Sequence, residues 1–197
     1  MKSVLITAFE PYDRWKTNAS WLALVQLTQD LPKRPRIVTR LYPVDFSTVK
    51  QRLTDDLSAG FDYAIHLGQA PSSSRVQLEA IGINVGGSGA QSPDQYRPLS
   101  EDGPVAYRSP LPLADWAIKL RGAGIPAQVS YHAGTYLCNA TLYWSSYLAE
   151  RLALKTQASF IHLPLDISQV VHEPHGAPSL PATISASAIR LILGELA

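Results

Sequence analysis

The sequence predicts an α/β fold, a three-layer α/β/α sandwich around a mixed, largely parallel twisted sheet. Three observations lead there. Strand-like and helix-like segments alternate through most of the chain. Residues 4–8, Val-Leu-Ile-Thr-Ala, read as a buried first strand. The 197 residues, 46% of them hydrophobic, suffice for one substantial core, so a single domain over residues 1–197 is expected.

The elements follow in order. Thr17 or Asn18 can cap a helix running to about Gln29, with Trp21, Leu22, Leu24, Val25 and Leu27 apolar. Residues 37–41 form the next strand, which Pro43 ends. Residues 46–57 are helical, with Val49, Leu53 and Leu57 spaced by four. Residues 63–67 make a third strand closing on Gly68. Residues 75–85 are extended, Val76, Leu78 and Ala80 alternating with Gln77 and Glu79. Residues 86–112, rich in Gly, Ser and Pro, read as a long loop, and loops of that length are disordered or functional. Helix resumes over residues 113–121, ended by Gly122 and Gly124. A strand (127–131), the longest helix (137–154), another strand (160–163) and a last helix containing residues 185–193 complete the chain.

Composition excludes several classes. The formal net charge is +1, and the nearest thing to a basic run, Lys33-Arg34-Pro35-Arg36, is short, so nucleic-acid binding is not expected. The lowish 17% of charged residues argues against a disordered tail. One cysteine cannot form an internal disulfide, which fits a cytoplasmic location. The N-terminal apolar run reaches Glu10 too soon for a signal peptide, and no run is long enough to cross a bilayer.

In open sheets of this kind, sites gather beyond the carboxyl ends of the strands. Gly68, His162 and the turn before Cys138 all fall at such ends. Cys138 stands in Ala133-Gly134-Thr135-Tyr136-Leu137-Cys138-Asn139, where a turn meets a helix start. Free N–H groups and the helix dipole favour the thiolate there. A lone cysteine is equally at home as a small core hydrophobe. His162 ends an apolar strand and is either a base or a core histidine bonded to a carbonyl. Alternation alone turns Glu79 outward on a half-exposed strand. Asp166, four residues after His162, is a rival partner for the imidazole, and Asp62 a weaker one. His66, mid-strand, reads as structural, and His132 lies six residues before Cys138 across a glycine turn. Pro174 breaks the helix that would align His172 and His175, so no metal site is expected. Gln69, directly after a strand, can offer both an acceptor and a donor to a bound amide. A thiol, a base and an orienter on separate segments are the parts of a Cys-His-acid hydrolase.

These motifs resemble those of pyroglutamyl peptidase I (pyrrolidone-carboxylate peptidase), a family of cysteine peptidases, over nearly the whole chain. Ala8-Phe9-Glu10-Pro11-Tyr12 with Thr17-Asn18-Ala19-Ser20 is similar to the family's Gly-Phe-Glu-Pro-Phe…Asn-Pro-Ser signature. Leu41-Tyr42-Pro43-Val44, His66-Leu67-Gly68-Gln69-Ala70 and Glu79…Ile83-Asn84 resemble further family segments. Gly134-Thr135-Tyr136-Leu137-Cys138-Asn139 followed by Phe160-Ile161-His162-Leu163-Pro164 resembles the nucleophile and histidine motifs, a specific combination.

The resemblance implies a triad of Cys138, His162 and Glu79, which favours Glu79 over Asp166. It implies removal of an N-terminal pyroglutamyl residue from peptides, no cofactor and a homo-oligomer, often a tetramer. It implies that Phe9 and Tyr12 wall the lactam ring, that Tyr136 and Leu137 lie on its far side, and that Gln69 bonds the lactam. A pocket for an uncharged lactam should be apolar, with a few amide-matching hydrogen bonds and no acidic anchor.

The chain departs from the family at several places. Asp13 stands at a usual glycine and Ala80 at the arginine after the triad glutamate. Pro71-Ser72-Ser73 replaces Gly-Gly-Arg, and Gly89-Ala90-Gln91-Ser92-Pro93-Asp94-Gln95 replaces Ala-Arg-Ile-Pro-Asp-Asn. Two further readings therefore stand beside the first: the same thiol chemistry on another acyl group, and a non-catalytic binding protein on this scaffold.

Overall fold

Every residue of β1 (Ser3–Phe9) is buried, because the strand lies inside a sheet with helices on both faces. The computed structural model describes residues 1–88 and 90–197. Gly89, part of the stretch read as a loop, lies outside the described residues. After β1 come α1 (Ala19–Thr28), β2 (Arg36–Tyr42), α2 (Phe46–Ser58), β3 (Tyr63–Gln69), β4 (Val76–Glu79) and β5 (Ile81–Ile83). Then follow β6 (Ala106–Arg108), α3 (Leu113–Gly122), β7 (Ala127–Ser130), α4 (Leu137–Arg151), β8 (Gln157–Leu163), α5 (Ile167–Val170) and α6 (Ala182–Glu195).

Six strands form one sheet in the order β2-β1-β3-β8-β4-β7. Neighbours are parallel except β4 and β8, which run in opposite directions. The predicted sandwich with a mixed, largely parallel sheet is the fold that forms. On one face α1, α3 and α6 pack on Val4, Ile6, Ile65, Leu67, Val76, Leu78, Ile161 and Leu163. On the other, α2 and α4 cover Leu5, Phe9, Ala64, Ala158 and Phe160. The period-2 alternation of strand side chains separates the two sets. Among the described residues no helix is long and apolar enough to cross a membrane.

Three local readings are corrected. The extended run 75–85 breaks at Ala80: β4 joins the main sheet, whereas β5 leaves it to pair with β6 in a separate antiparallel pair. The stretch 86–112 is not free of regular structure, since it holds β6, a 3-10 turn (Pro93–Gln95) and a bridge between Gly86 and Arg97. The helix read over 137–154 ends at Arg151, and Ala153 beyond it takes φ 51°, a left-handed conformation that closes the turn. The short α5 was not foreseen. Asp166 caps it and Gln169 completes a capping box.

Candidate active site

The carboxyl ends of β1, β3 and β8 present Phe9, Gly68, Gln69 and His162 at one edge of the sheet. Gly134, with φ 80°, turns the chain into α4, of which Cys138 is the second residue. Among the described residues no side chain caps α4. Its first-turn N–H groups therefore lack side-chain acceptors, as a site for developing negative charge requires.

A cavity of about 260 Å³ opens here. Phe9, Tyr12, Gln69, Tyr136, Leu137, Cys138 and His162 line it, together with Val44, Gly68 and the Ala133–Thr135 turn. Seven of the eight residues singled out in the sequence thus meet on one wall. The eighth, Glu79, lies behind His162, 1% exposed, with Oε1 2.8 Å from the imidazole Nδ1. Alternation along β4 had suggested an outward carboxylate; instead it lies opposite Phe160, whose ring packs in the cluster under α2 and α4, and is buried there. The rivals are used elsewhere. Asp166 accepts from the N–H groups of Ser168 and Ala182, at 2.9 and 2.6 Å. Asp62 binds Lys2 and Ser3 at the far end of the sheet. His132, His172 and His175 are exposed loop residues.

Electrostatics favour a charged imidazole. Burial alone would push His162 down, but the neighbouring Cys138, by charge and hydrogen bond, and Glu79 together push it up to about 10. Tyr12 is pushed up to about 12, chiefly by burial and then by the charges of Cys138 and Asp13. The Gln69 amide approaches that phenol and opposes the shift, without forming a hydrogen bond of ordinary geometry. Tyr12 therefore stays a neutral wall. Asp13 takes φ 55°, a left-handed conformation that Asp adopts more readily than most residues.

Packing holds the Cys138 thiol in place. A Cβ on Gly68 would lie 2.5 Å from Phe160 Cζ and 3.1 Å from Cys138 Sγ, so the absent side chain is what lets ring and thiol approach the strand. Behind them runs a buried polar chain. Thr141 donates to the carbonyl of Leu137, and Ser145 to that of Thr141, each at 2.7 Å. With its proton so committed, Ser145 accepts from His66 Nε2 at 2.8 Å, and Thr7 donates to His66 Nδ1 at 2.8 Å. The structural reading of His66 holds.

Two residues that the sequence did not single out shape the site. Asn139, fully buried, accepts from Ile83 N and donates to the carbonyls of Ile83 and Val85, fixing β5 to the start of α4. Gln169 donates to Gln69 Oε1 at 2.8 Å. The Asp166-x-x-Gln169 spacing, a capping-box signature, is the signal that could have drawn attention to it.

A thiol, an imidazole and a carboxylate at the edge of an α/β/α sandwich are the groups of a thiol hydrolase. Comparison with known proteins narrows the class. A family model described as pyroglutamyl peptidase matches residues 2–195. A pyrrolidone-carboxylate peptidase of Erwinia tasmaniensis is 37% identical over 187 residues, covering 91% of this chain and 85% of its own. One of Yersinia pestis is 35% identical over 202 residues, covering 98% and 92%. The solved pyrrolidone carboxyl peptidase of Fervidobacterium islandicum superposes with a TM-score of 0.93 at 31% identity, covering 100% of this chain and 98% of that one. That of Thermococcus litoralis gives 0.88 at 30%, covering 100% and 93%. The chain belongs to the pyroglutamyl peptidase family of cysteine-type omega-peptidases.

Proposed function

We propose that this protein hydrolyses the amide bond after an N-terminal pyroglutamyl residue, with Cys138 as nucleophile, His162 as acid and base, and Glu79 holding the imidazole. The observation that carries the reading is the cavity wall: among the described residues none that lines it is Asp, Glu, Lys or Arg. An ordinary peptide N-terminus brings an ammonium, which an apolar wall beside a positively charged imidazole disfavours. A pyroglutamyl residue has no such charge, and Phe9, Tyr12, Tyr136 and Leu137 offer its ring apolar surface.

The steps balance as follows. The Cys138 sulfur attacks the scissile carbonyl, and the oxyanion is held by the uncapped N–H groups of α4. His162 gives its proton to the leaving nitrogen as the C–N bond breaks, leaving a thioacyl enzyme. Neutral His162 then takes a proton from water, whose oxygen attacks the thioester. Pyroglutamate leaves and the thiolate–imidazolium pair returns.

The test is release of pyroglutamate from a pyroglutamyl-arylamide, set against prolyl and glutamyl arylamides. Cys138→Ser should lower turnover by roughly 10⁴-fold with unchanged circular dichroism. Rapid turnover by that variant would take Cys138 out of the mechanism. The phenol of Tyr12, where the family usually has phenylalanine, favours a second reading in which the acyl group carries a further polar atom. A panel of acyl arylamides separates the two. The single cysteine and the family resemblance support a cytoplasmic homo-oligomer of one domain over residues 1–197.

A further inference from the structure

We infer that Gln169 is a positioning residue that fixes the orientation of the Gln69 amide, so that the cavity offers a hydrogen-bond donor, and hence selects an acyl group with a carbonyl at that place. This inference rests on the pyroglutamyl reading of the site.

Backbone groups, whose donor and acceptor roles cannot be exchanged, fix both amides. Ala19 N–H can only donate, and at 2.8 Å it meets Gln69 Oε1. Asp166 N–H can only donate, and at 2.8 Å it meets Gln169 Oε1. The Thr17 carbonyl can only accept, and at 3.0 Å it meets Gln169 Nε2. Gln169 is therefore held from both ends, and its Nε2 faces Gln69 Oε1 at 2.8 Å. Two donors converge on that one oxygen. A reversed Gln69 amide would set its NH2 against both of them. Gln69 Nε2 is left over: buried beside the Tyr12 phenol at the cavity wall, it makes no hydrogen bond of ordinary geometry among the described residues. An unpaired buried donor is costly, and a ligand carbonyl that displaces the Tyr12 phenol from it relieves that cost. Gln169 itself stays outside the lining. It acts only through Gln69.

Gln169→Glu is the informative variant. It keeps an acceptor for Asp166 N–H and the side-chain shape, but it cannot donate to Gln69 or Thr17. A carboxylate there attracts Gln69 Nε2 and turns the amide away from the cavity. KM for a pyroglutamyl-arylamide should rise about tenfold, the worth of one good hydrogen bond, while kcat stays within about threefold. In a Cys138→Ala background, 2-pyrrolidone titrated by NMR should bind about tenfold more weakly to the Gln169→Glu protein. Should Gln169→Glu fail to fold, Gln169→Met takes its place: it removes one of the two donors to Gln69 Oε1 and leaves the Ala19 N–H, so KM and 2-pyrrolidone binding should weaken by about threefold. Unchanged KM and unchanged 2-pyrrolidone binding would overturn the inference, as would a fall confined to kcat. A wild-type protein inert toward pyroglutamyl-arylamides but binding 2-pyrrolidone in a Gln169-dependent way would sink the proposed function and keep the inference. Absence of 2-pyrrolidone binding by wild type would overturn the inference itself.

Discussion

His162 Nδ1 and Glu79 Oε1 lie 2.8 Å apart across two strands that run in opposite directions. In register, Glu79 faces Phe160 and Gln77 faces His162, so the bond is a diagonal between side chains on one face of the sheet. The reversal of β4 brings the carboxylate back along β8 to the imidazole.

Glu79→Gln keeps the shape of that diagonal and removes its charge. The charges of Cys138 and Glu79 together hold His162 up against the effect of burial. Without the carboxylate the imidazolium gives up its proton at lower pH. We expect kcat to fall by roughly 10²- to 10⁴-fold and the alkaline limb of the pH–rate profile to move down by more than about one unit. A limb that stays in place would show that Glu79 does not brace the imidazole.

Two buried histidines give stability opposite pH slopes. Burial holds His66 down to about 3 from an ordinary 6.5. Between those values the unfolded chain carries a proton that the native one lacks, so stability rises with pH, by up to about 1.4 kcal/mol per unit. That contribution is lost on acidification. His162 is shifted the other way, so its contribution is complete below 6.5 and is lost as pH rises through its folded value of about 10. Urea midpoints from pH 4 to 9 should peak near 6.5, and His66→Gln should flatten the acid side by about one proton. An acid slope identical to wild type would contradict a neutral, sealed His66.

Gly68→Ala should be harmful out of proportion to one methyl group. The new carbon would meet the Phe160 ring at 2.5 and 2.6 Å and the Cys138 sulfur at 3.1 Å. Overpacking of this kind costs about 1–3 kcal/mol. Displacement of the thiol should also lower kcat, by an amount that stabilising co-solvents do not restore. Chemical denaturation and single-turnover kinetics read the two effects separately, and a variant neutral in both would refute the close packing.

Much of this was readable in the chain. The apolar strands, the glycine turn before Cys138 and the strand end at His162 follow from local pattern, and they place three groups at one edge of a sheet. Glu79 does not follow, because its burial comes from its place beside Phe160 and His162 of β8, on the face that α2 and α4 cover, rather than from anything in Val76-Gln77-Leu78-Glu79. Asn139 and Gln169 were hidden for a related reason. Their partners, Ile83 and Gln69, are 56 and 100 residues away, and only the folded chain brings them together. The break at Ala80 was equally invisible, since β5 finds its partner in a stretch whose composition reads as loop.

That no described residue of the cavity wall is a carboxylate has a consequence for how such an enzyme could live among other proteins. A protein whose α-amino group is free carries a positive charge there, and an entrance that offers no counter-charge disfavours it. Restraint would then reside in the doorway itself, and no inhibitory segment would be needed to keep the thiol from bystanders.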